Sequence, residues 1–62
     1  MWIKTIGGAL LNLDRAETVE YDDNDNISRA WIGNDCCEIC EGDVRPFIIN
    51  AILKQETFVR MV

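Results

Sequence analysis

The fold of this chain is decided by one segment, GDVRPFIINAIL at residues 42–53. Asp43 is a candidate N-cap, and Pro46 then falls in the first helical turn, where the N–H that proline lacks would have no helical partner. Apolar residues follow at the i, i+3, i+4, i+7 and i+8 spacing of one helix face. They are Val44, Phe47, Ile48, Ala51 and Ile52, and Ile49 and Leu53 widen the face. We therefore predict a helix here, followed by an extended segment at the β-prone residues 57–62.

The residues before this helix have the pattern of short strands. Short runs that favour strands recur five times, at residues 2–6, 9–13, 16–21, 27–32 and 36–41. Turn-forming residues separate these runs, and Gly7-Gly8 predicts a two-residue hairpin turn. Such spacing predicts an antiparallel meander. We expect a single α+β domain over residues 1–62, in which a small antiparallel β-meander of four to five strands has one helix packed on a face.

The chain is short for a stable core. It has 62 residues, of which 48% are hydrophobic and 27% are charged, and this composition is typical of one soluble globular domain. In so small a domain, the free energy from burying apolar surface and the entropic cost of ordering the chain nearly cancel. Such a domain gains stability from a disulfide, a metal or a partner subunit. The three cysteines are an odd number and cannot all pair within one chain.

Two short motifs carry a resemblance to other proteins. They are Trp-Ile-Lys-Thr at residues 2–5 and Leu-Asn-Leu-Asp at residues 11–14. With the short sheet, the apolar helix and the closing Thr57-Phe58-Val59, they resemble a group of small uncharacterised bacterial and phage-encoded proteins, which often open with Trp-(Ile/Val)-Lys-Thr. The group has no assigned function, so the resemblance implies no activity and no site residues. The stretch at residues 36–40 departs from the pattern of the group.

The residue inventory argues against catalysis. The chain has no histidine, and its only serine is Ser28. A Ser-His-Asp or Cys-His arrangement therefore cannot be built within one chain, and we expect a non-enzymatic protein without a cofactor. The sequence also shows no signal-peptide pattern and no apolar run of about 20 residues. We accordingly expect a cytoplasmic protein that does not bind membranes.

The three cysteines are the residues in this chain that could most readily form a metal site. Cys37-x-x-Cys40 has the spacing of half a zinc site, and Cys36 and a nearby carboxylate could complete four ligands. Regular strand alternation, however, would place Cys37 and Cys40 on opposite faces of the strand. We interpret the cysteines as packing residues, and a Cys-dependent zinc-binding protein is the alternative.

Charge is concentrated in the middle of the chain. Residues 14–43 carry ten acidic residues against two arginines, whereas the flanking segments are slightly basic and the net charge is −5. Such an acidic region repels phosphate and argues against direct nucleic-acid binding. We interpret it as a solvated sheet surface. A surface that binds a basic protein, as in an acidic inhibitor of a nucleic-acid-binding protein, is the weaker alternative.

Apolar residues exceed what one small core can be expected to hold. Tryptophan is favoured at protein interfaces, and the apolar stripe of the helix is unusually broad. We predict a homo-oligomeric interaction module. The candidate interface residues are Trp2, Trp31, Val44, Phe47, Ile48 and Ile52.

Overall fold

The computed structural model describes residues 1–61. In chain order these residues form β1 (Trp2–Lys4), β2 (Leu10–Asn12), a 3₁₀ turn (Leu13–Arg15), β3 (Thr18–Asp22), β4 (Ile27–Ile32), β5 (Asp35–Glu41) and helix α1 (Arg45–Leu53). The fold is α+β with antiparallel strands, as predicted. The strands are divided between two sheets: β1 pairs with β2, and β3, β4 and β5 form a three-stranded meander.

The break between the two sheets lies at the 3₁₀ turn. The Asp14 N–H donates to the side-chain oxygen of Asn12 at 3.1 Å, and the Ala16 N–H donates to the Leu13 carbonyl at 3.1 Å. Asparagine side chains often compete in this way with a continuing strand ladder. Because these local bonds close a tight turn directly after β2, the chain enters β3 in a new direction.

The loop between β1 and β2 is longer than the predicted Gly7-Gly8 turn. The Gly8 N–H donates to the Thr5 carbonyl at 2.9 Å, and the Thr5 N–H donates to the Ala9 carbonyl at 2.8 Å. The central turn residues are therefore Ile6 and Gly7, and Gly8 follows them with a φ of 83°. This is the three-residue hairpin loop that ends in a left-handed glycine, so the prediction of a two-residue turn is wrong.

In the predicted extended segment, residues 57–59 lie parallel to β1 and pair with it through one isolated bridge, not as a regular strand. The Trp2 N–H donates to the Thr57 carbonyl at 2.9 Å, and the Val59 N–H donates to the Trp2 carbonyl at 2.8 Å. Trp2 and Phe58 are bridge partners, and Val59 is 1% exposed. This part of the chain therefore contributes to the core, whereas Val62, which belonged to the same prediction, lies outside the described residues.

A β-bulge joins the two sheets. Residues 28–29 of β4 lie opposite Cys40 and Glu38 of β5, so Ile39 has no partner on β4. Ile39 is fully buried, and its carbonyl accepts a hydrogen bond from the Ile6 N–H at 2.6 Å. The extra residue thus turns its backbone towards the β1–β2 hairpin, which is a usual consequence of a bulge.

The core lies between the sheets and the helix. Its buried apolar residues are Ile3, Ala30, Ile39, Val44, Ala51 and Val59. Ser28 is fully buried and connects β4 to the start of the helix: its hydroxyl donates to the Gly42 carbonyl at 2.6 Å and accepts from the Val44 N–H at 2.9 Å. Val44 is 1% exposed, so this residue of the predicted interface set belongs to the core.

Both ends of α1 are stabilised by local hydrogen bonds. The N-cap is Val44. The residue before it, Asp43, accepts a hydrogen bond from the Arg45 N–H at 3.1 Å through its carboxylate. At the other end, Gln55 has a φ of 56°, and the Glu56 N–H donates to the Ala51 carbonyl at 2.9 Å. This is a Schellman-type helix end with glutamine where glycine is usual, and it returns the chain towards β1.

Candidate interaction surfaces

The outward side of α1 carries exposed aliphatic side chains. Ile49, Ile52 and Leu53 are 58%, 57% and 77% exposed, and their i, i+3, i+4 spacing places them on one side of the helix. We call these three residues the helix face. The opposite side of α1 contains the buried Ala51, and the N-cap residue Val44 is buried as well. A surface helix normally turns its apolar residues towards the core and its polar residues towards solvent, so the helix face is an apolar part of α1 that lacks a cover.

Two hollows lie between α1 and β3, and both are lined by Val19 and Ile48. One has a volume of about 220 Å³ and is also lined by Leu13, Ala16 and Ile52 and by the acidic residues Asp14 and Glu17. The other has a volume of about 260 Å³ and reaches Arg45 and Ile49. We call them the Ile48 hollows, and they continue the apolar surface of the helix face.

The charge at the start of the helix is locally compensated. Arg45 donates through Nε and one terminal nitrogen to the two carboxylate oxygens of Asp43, at 2.9 and 2.8 Å. Its guanidinium carbon lies 5.7 Å from the centre of the Tyr21 ring, within the range of a cation–π contact. The hydrogen bond from Arg45 holds the pKa of Asp43 below its ordinary value. This end of the helix therefore presents an ion pair rather than an isolated cation.

A second apolar surface lies on the outer side of the β1–β2 sheet. Trp2 bridges to Phe58, and Lys4 lies opposite Leu10. Because β1 alternates around the buried Ile3, these four side chains point away from the core. Trp2, Leu10 and Phe58 are 45%, 63% and 40% exposed. We call these three residues the aromatic face, and Lys4 is the charged residue among them.

The outer side of the three-stranded sheet has a different character. Its cross-strand rows are Thr18–Trp31–Cys36, Glu20–Arg29–Glu38 and Asp22–Ile27–Glu41. We call these nine residues the acidic face. The indole N–H of Trp31 donates to Glu20 Oε1 at 2.8 Å, so this tryptophan is part of a polar network.

Arg29 organises the acidic charge around it. Its two terminal nitrogens lie 3.2 Å from an Asp22 carboxylate oxygen and 3.4 Å from one of Asp25. The Asn24 N–H and the Arg29 side chain both donate to Asp22, and these bonds lower the pKa of Asp22 from its ordinary value. The acidic face is thus a hydrated surface with internal ion pairing.

The bulge changes which faces the cysteines occupy. Cys37 and Cys40 lie opposite Ala30 and Ser28, two alternate β4 residues that are both buried. Cys37 and Cys40 therefore share the inward face, and the prediction that they point in opposite directions is wrong. The reason is that Ile39 adds one residue to the strand and shifts its alternation.

The thiols themselves are dispersed. Cys36 is exposed on the acidic face, whereas Cys37 and Cys40 are half-buried, and all three are free. Burial, with a smaller contribution from Asp43, raises the pKa of the Cys40 thiol, which keeps it protonated at neutral pH. Within residues 1–61, no group of three or more His, Cys, Asp or Glu side chains could hold a metal ion. The arrangement offers no support for the zinc alternative.

The predicted interface residues do not form one surface. The structure places one in the core, one on the acidic face, one on the aromatic face, and two on or beside the helix face. In that order they are Val44, Trp31, Trp2, and then Ile48 and Ile52. Phe47 is 41% exposed, and its i, i+4 spacing from the buried Ala51 places it on the other side of α1.

Five further exposed hydrophobic residues were outside the predicted set: Ile6, Leu10, Ile49, Leu53 and Phe58. For Ile49 and Leu53 the signal was present in the sequence, because both lie at the edge of the predicted stripe. The exposure of Leu10 and Phe58 follows from their pairing with Lys4 and Trp2 of β1. That pairing could not be predicted without knowing that Ile3 points into the core.

Comparisons of this chain with protein-family models, with curated proteins and with solved structures gave no match. In the described part of the chain, α1 is too short to cross a lipid bilayer, and no other segment forms a longer apolar helix. Function is therefore inferred from the three surfaces.

Proposed function

We propose that this chain is a small non-enzymatic protein-interaction module that associates with itself. One observation carries the proposal: among the described residues, eight large hydrophobic side chains are at least 40% exposed, against six buried apolar residues in the core. Single exposed apolar residues are ordinary on monomers, but contiguous apolar patches mark contact surfaces. Here six of the eight exposed residues lie on the helix face and the aromatic face.

The composition of the core supports the same proposal. It contains isoleucine, valine and alanine, and every aromatic side chain in residues 1–61 is at least partly exposed. Aromatic residues supply the largest buried areas per side chain in cores and interfaces. A 62-residue chain that leaves them outside its core forgoes much of the stabilisation available to it, and a partner subunit restores part of that stabilisation.

Sedimentation equilibrium over a concentration series tests the proposal. We expect the weight-average mass to rise from 7.1 kDa towards twice that value as concentration increases. The midpoint of thermal unfolding should rise over the same series, because association stabilises the folded state by mass action. A mass of 7.1 kDa at every concentration up to the millimolar range would contradict self-association.

A further inference from the structure

We propose that the helix face is a two-fold symmetric contact with a second copy of this chain, and that the Ile48 hollows receive side chains of that copy. The inference rests on the proposed self-association and assigns it to one surface. The contact brings Ile49, Ile52 and Leu53 of one copy against the same residues of the other. Each copy contributes the same patch, as two-fold symmetry requires.

The chemistry of the helix face is self-complementary. Its three residues are aliphatic, so two copies can meet without an unpaired polar group. Two cations lie near it. Arg45, four residues before Ile49, is held by both carboxylate oxygens of Asp43 at 2.9 and 2.8 Å. Lys54 follows Leu53 at the C-cap, and the helical rotation of about 100° per residue turns it away from Ile49 and Ile52. Two facing copies therefore bring together Arg45–Asp43 ion pairs, not isolated cations.

The aromatic face does not have this property. Lys4 lies among Trp2, Leu10 and Phe58 on the outer side of β1 and β2. A symmetric contact through this face would bring two lysine side chains close together, and like charges in direct apposition are destabilising. The aromatic face is therefore the poorer surface for a second copy.

The distribution of negative charge points to the same side of the molecule. Residues 14–43 carry a net charge of −8. Four of their ten acidic residues lie on the acidic face, on the side of the sheet that faces away from α1, and two, Asp14 and Glu17, lie at one of the Ile48 hollows. Contact through the helix face leaves the two acidic faces on the outside of the dimer. Two helices, each about 10 Å across, then separate the sheets, and this exceeds a screening length of about 8–10 Å.

The helix face alone is too small for the interface of a stable dimer. A nine-residue helix is only about 14 Å long, whereas a specific interface covers roughly 800 Å² on each partner. The surface of the chain is 4416 Å², so such an interface would cover close to a fifth of it. The Ile48 hollows extend the contact beyond the helix face. Their volumes of about 220 and 260 Å³ exceed the roughly 150 Å³ that accommodates a benzene-sized group.

A pair of matched variants tests this assignment. Ile49→Gln with Leu53→Gln replaces exposed apolar residues by neutral polar ones that favour helices, whereas Leu10→Gln makes the same type of change on the aromatic face. We expect the double variant to raise the dimer dissociation constant at least tenfold, because central apolar contacts dominate an interface. Leu10→Gln should leave it within about twofold. Circular dichroism confirms that each variant remains folded.

The outcomes separate the surface assignment from the proposed function. If Leu10→Gln abolishes the dimer and the double variant retains it, self-association stands and the helix face is the wrong surface. If the wild-type chain stays at 7.1 kDa at all concentrations, both proposals fail.

A salt series gives an independent readout. An apolar contact with outward acidic faces should be as strong or stronger at 0.5 M NaCl than at 0.05 M, because screening removes the repulsion. Weakening by salt, or growth beyond a dimer, would indicate head-to-tail docking onto the acidic face and would overturn the symmetric contact.

Discussion

The acidic face and the helix face lie on opposite sides of the same core and differ in how they meet water. On the acidic face the large residues have polar partners: the Trp31 indole N–H binds Glu20, and Arg29 binds Asp22. On the helix face, Ile49 and Leu53 are 58% and 77% exposed and offer no polar group. The first is suited to solvent, and the second is suited to another apolar surface.

The difference shows that alternation alone does not decide the character of a surface. In β4 the period of two places Ser28 and Ala30 in the core and Arg29 and Trp31 on the acidic face. In α1 the apolar residues exceed the width of the side that the sheet can cover, so the surplus must face outward. Three changes test this comparison through the stability of the folded chain, and they are given in order of decreasing expected effect.

Replacing Ile39 should have the largest effect on the isolated chain. Ile39 is fully buried at the bulge, and removal of a buried isoleucine side chain to alanine costs about 2–5 kcal/mol. We expect Ile39→Ala to lower the free energy of unfolding by this amount, measured by urea denaturation at low protein concentration.

The control for this change is Leu53→Ala on the helix face, where the side chain is 77% exposed. Its effect under the same dilute conditions should stay within about 0.5 kcal/mol, as for most surface substitutions. A comparable loss in both variants would show that the helix face is packed within the single chain, and the comparison would fail.

Ser28→Ala should have an intermediate effect, because Ser28 connects the sheet to the helix. The change removes the acceptor of the buried Val44 N–H and the donor to the Gly42 carbonyl. A buried group that loses its partner costs about 1–3 kcal/mol. We expect that loss in urea denaturation, together with faster hydrogen exchange of the Val44 amide. Unchanged stability and unchanged exchange would show that the helix start does not depend on this serine.

The smallest effect is expected from acid, and it concerns the acidic face. The pKa of Asp22 is lowered by the Asn24 N–H and by Arg29, so Asp22 stabilises the folded state at neutral pH. That contribution is present above the ordinary aspartate pKa of about 3.9 and is lost as pH falls through the lower, folded-state value. We therefore expect the difference in urea midpoint between wild type and Asp22→Asn to shrink below about pH 4.

Asp23→Asn in the same turn is the matched control for the acid experiment. Its difference from wild type should change less over the same pH range. A difference for Asp22→Asn that stays constant down to pH 2 would mean that the bonds to Asn24 and Arg29 do not stabilise the folded chain.

Local patterns in the sequence determined the α+β class, the positions of the strands and the start of the helix. Residues 27–32 alternate between inward and outward positions. Pro46 is compatible only with the first turn of a helix, so it marks where α1 begins. Gly33, with a φ of 61°, turns the chain between β4 and β5. These features depend on backbone sterics and on the spacing of apolar residues, which act over a few neighbouring positions.

The tertiary structure alone decided how the strands are divided and which apolar residues remain outside. The bulge at Ile39 places Cys37 and Cys40 on one face, and the bridge between Trp2 and Phe58 joins residues from the two ends of the chain. Such outcomes depend on contacts between residues far apart in sequence, which no local pattern contains. The exposure of Ile49 and Leu53 follows for the same reason, since the width of the sheet that meets the helix is a property of the assembled fold.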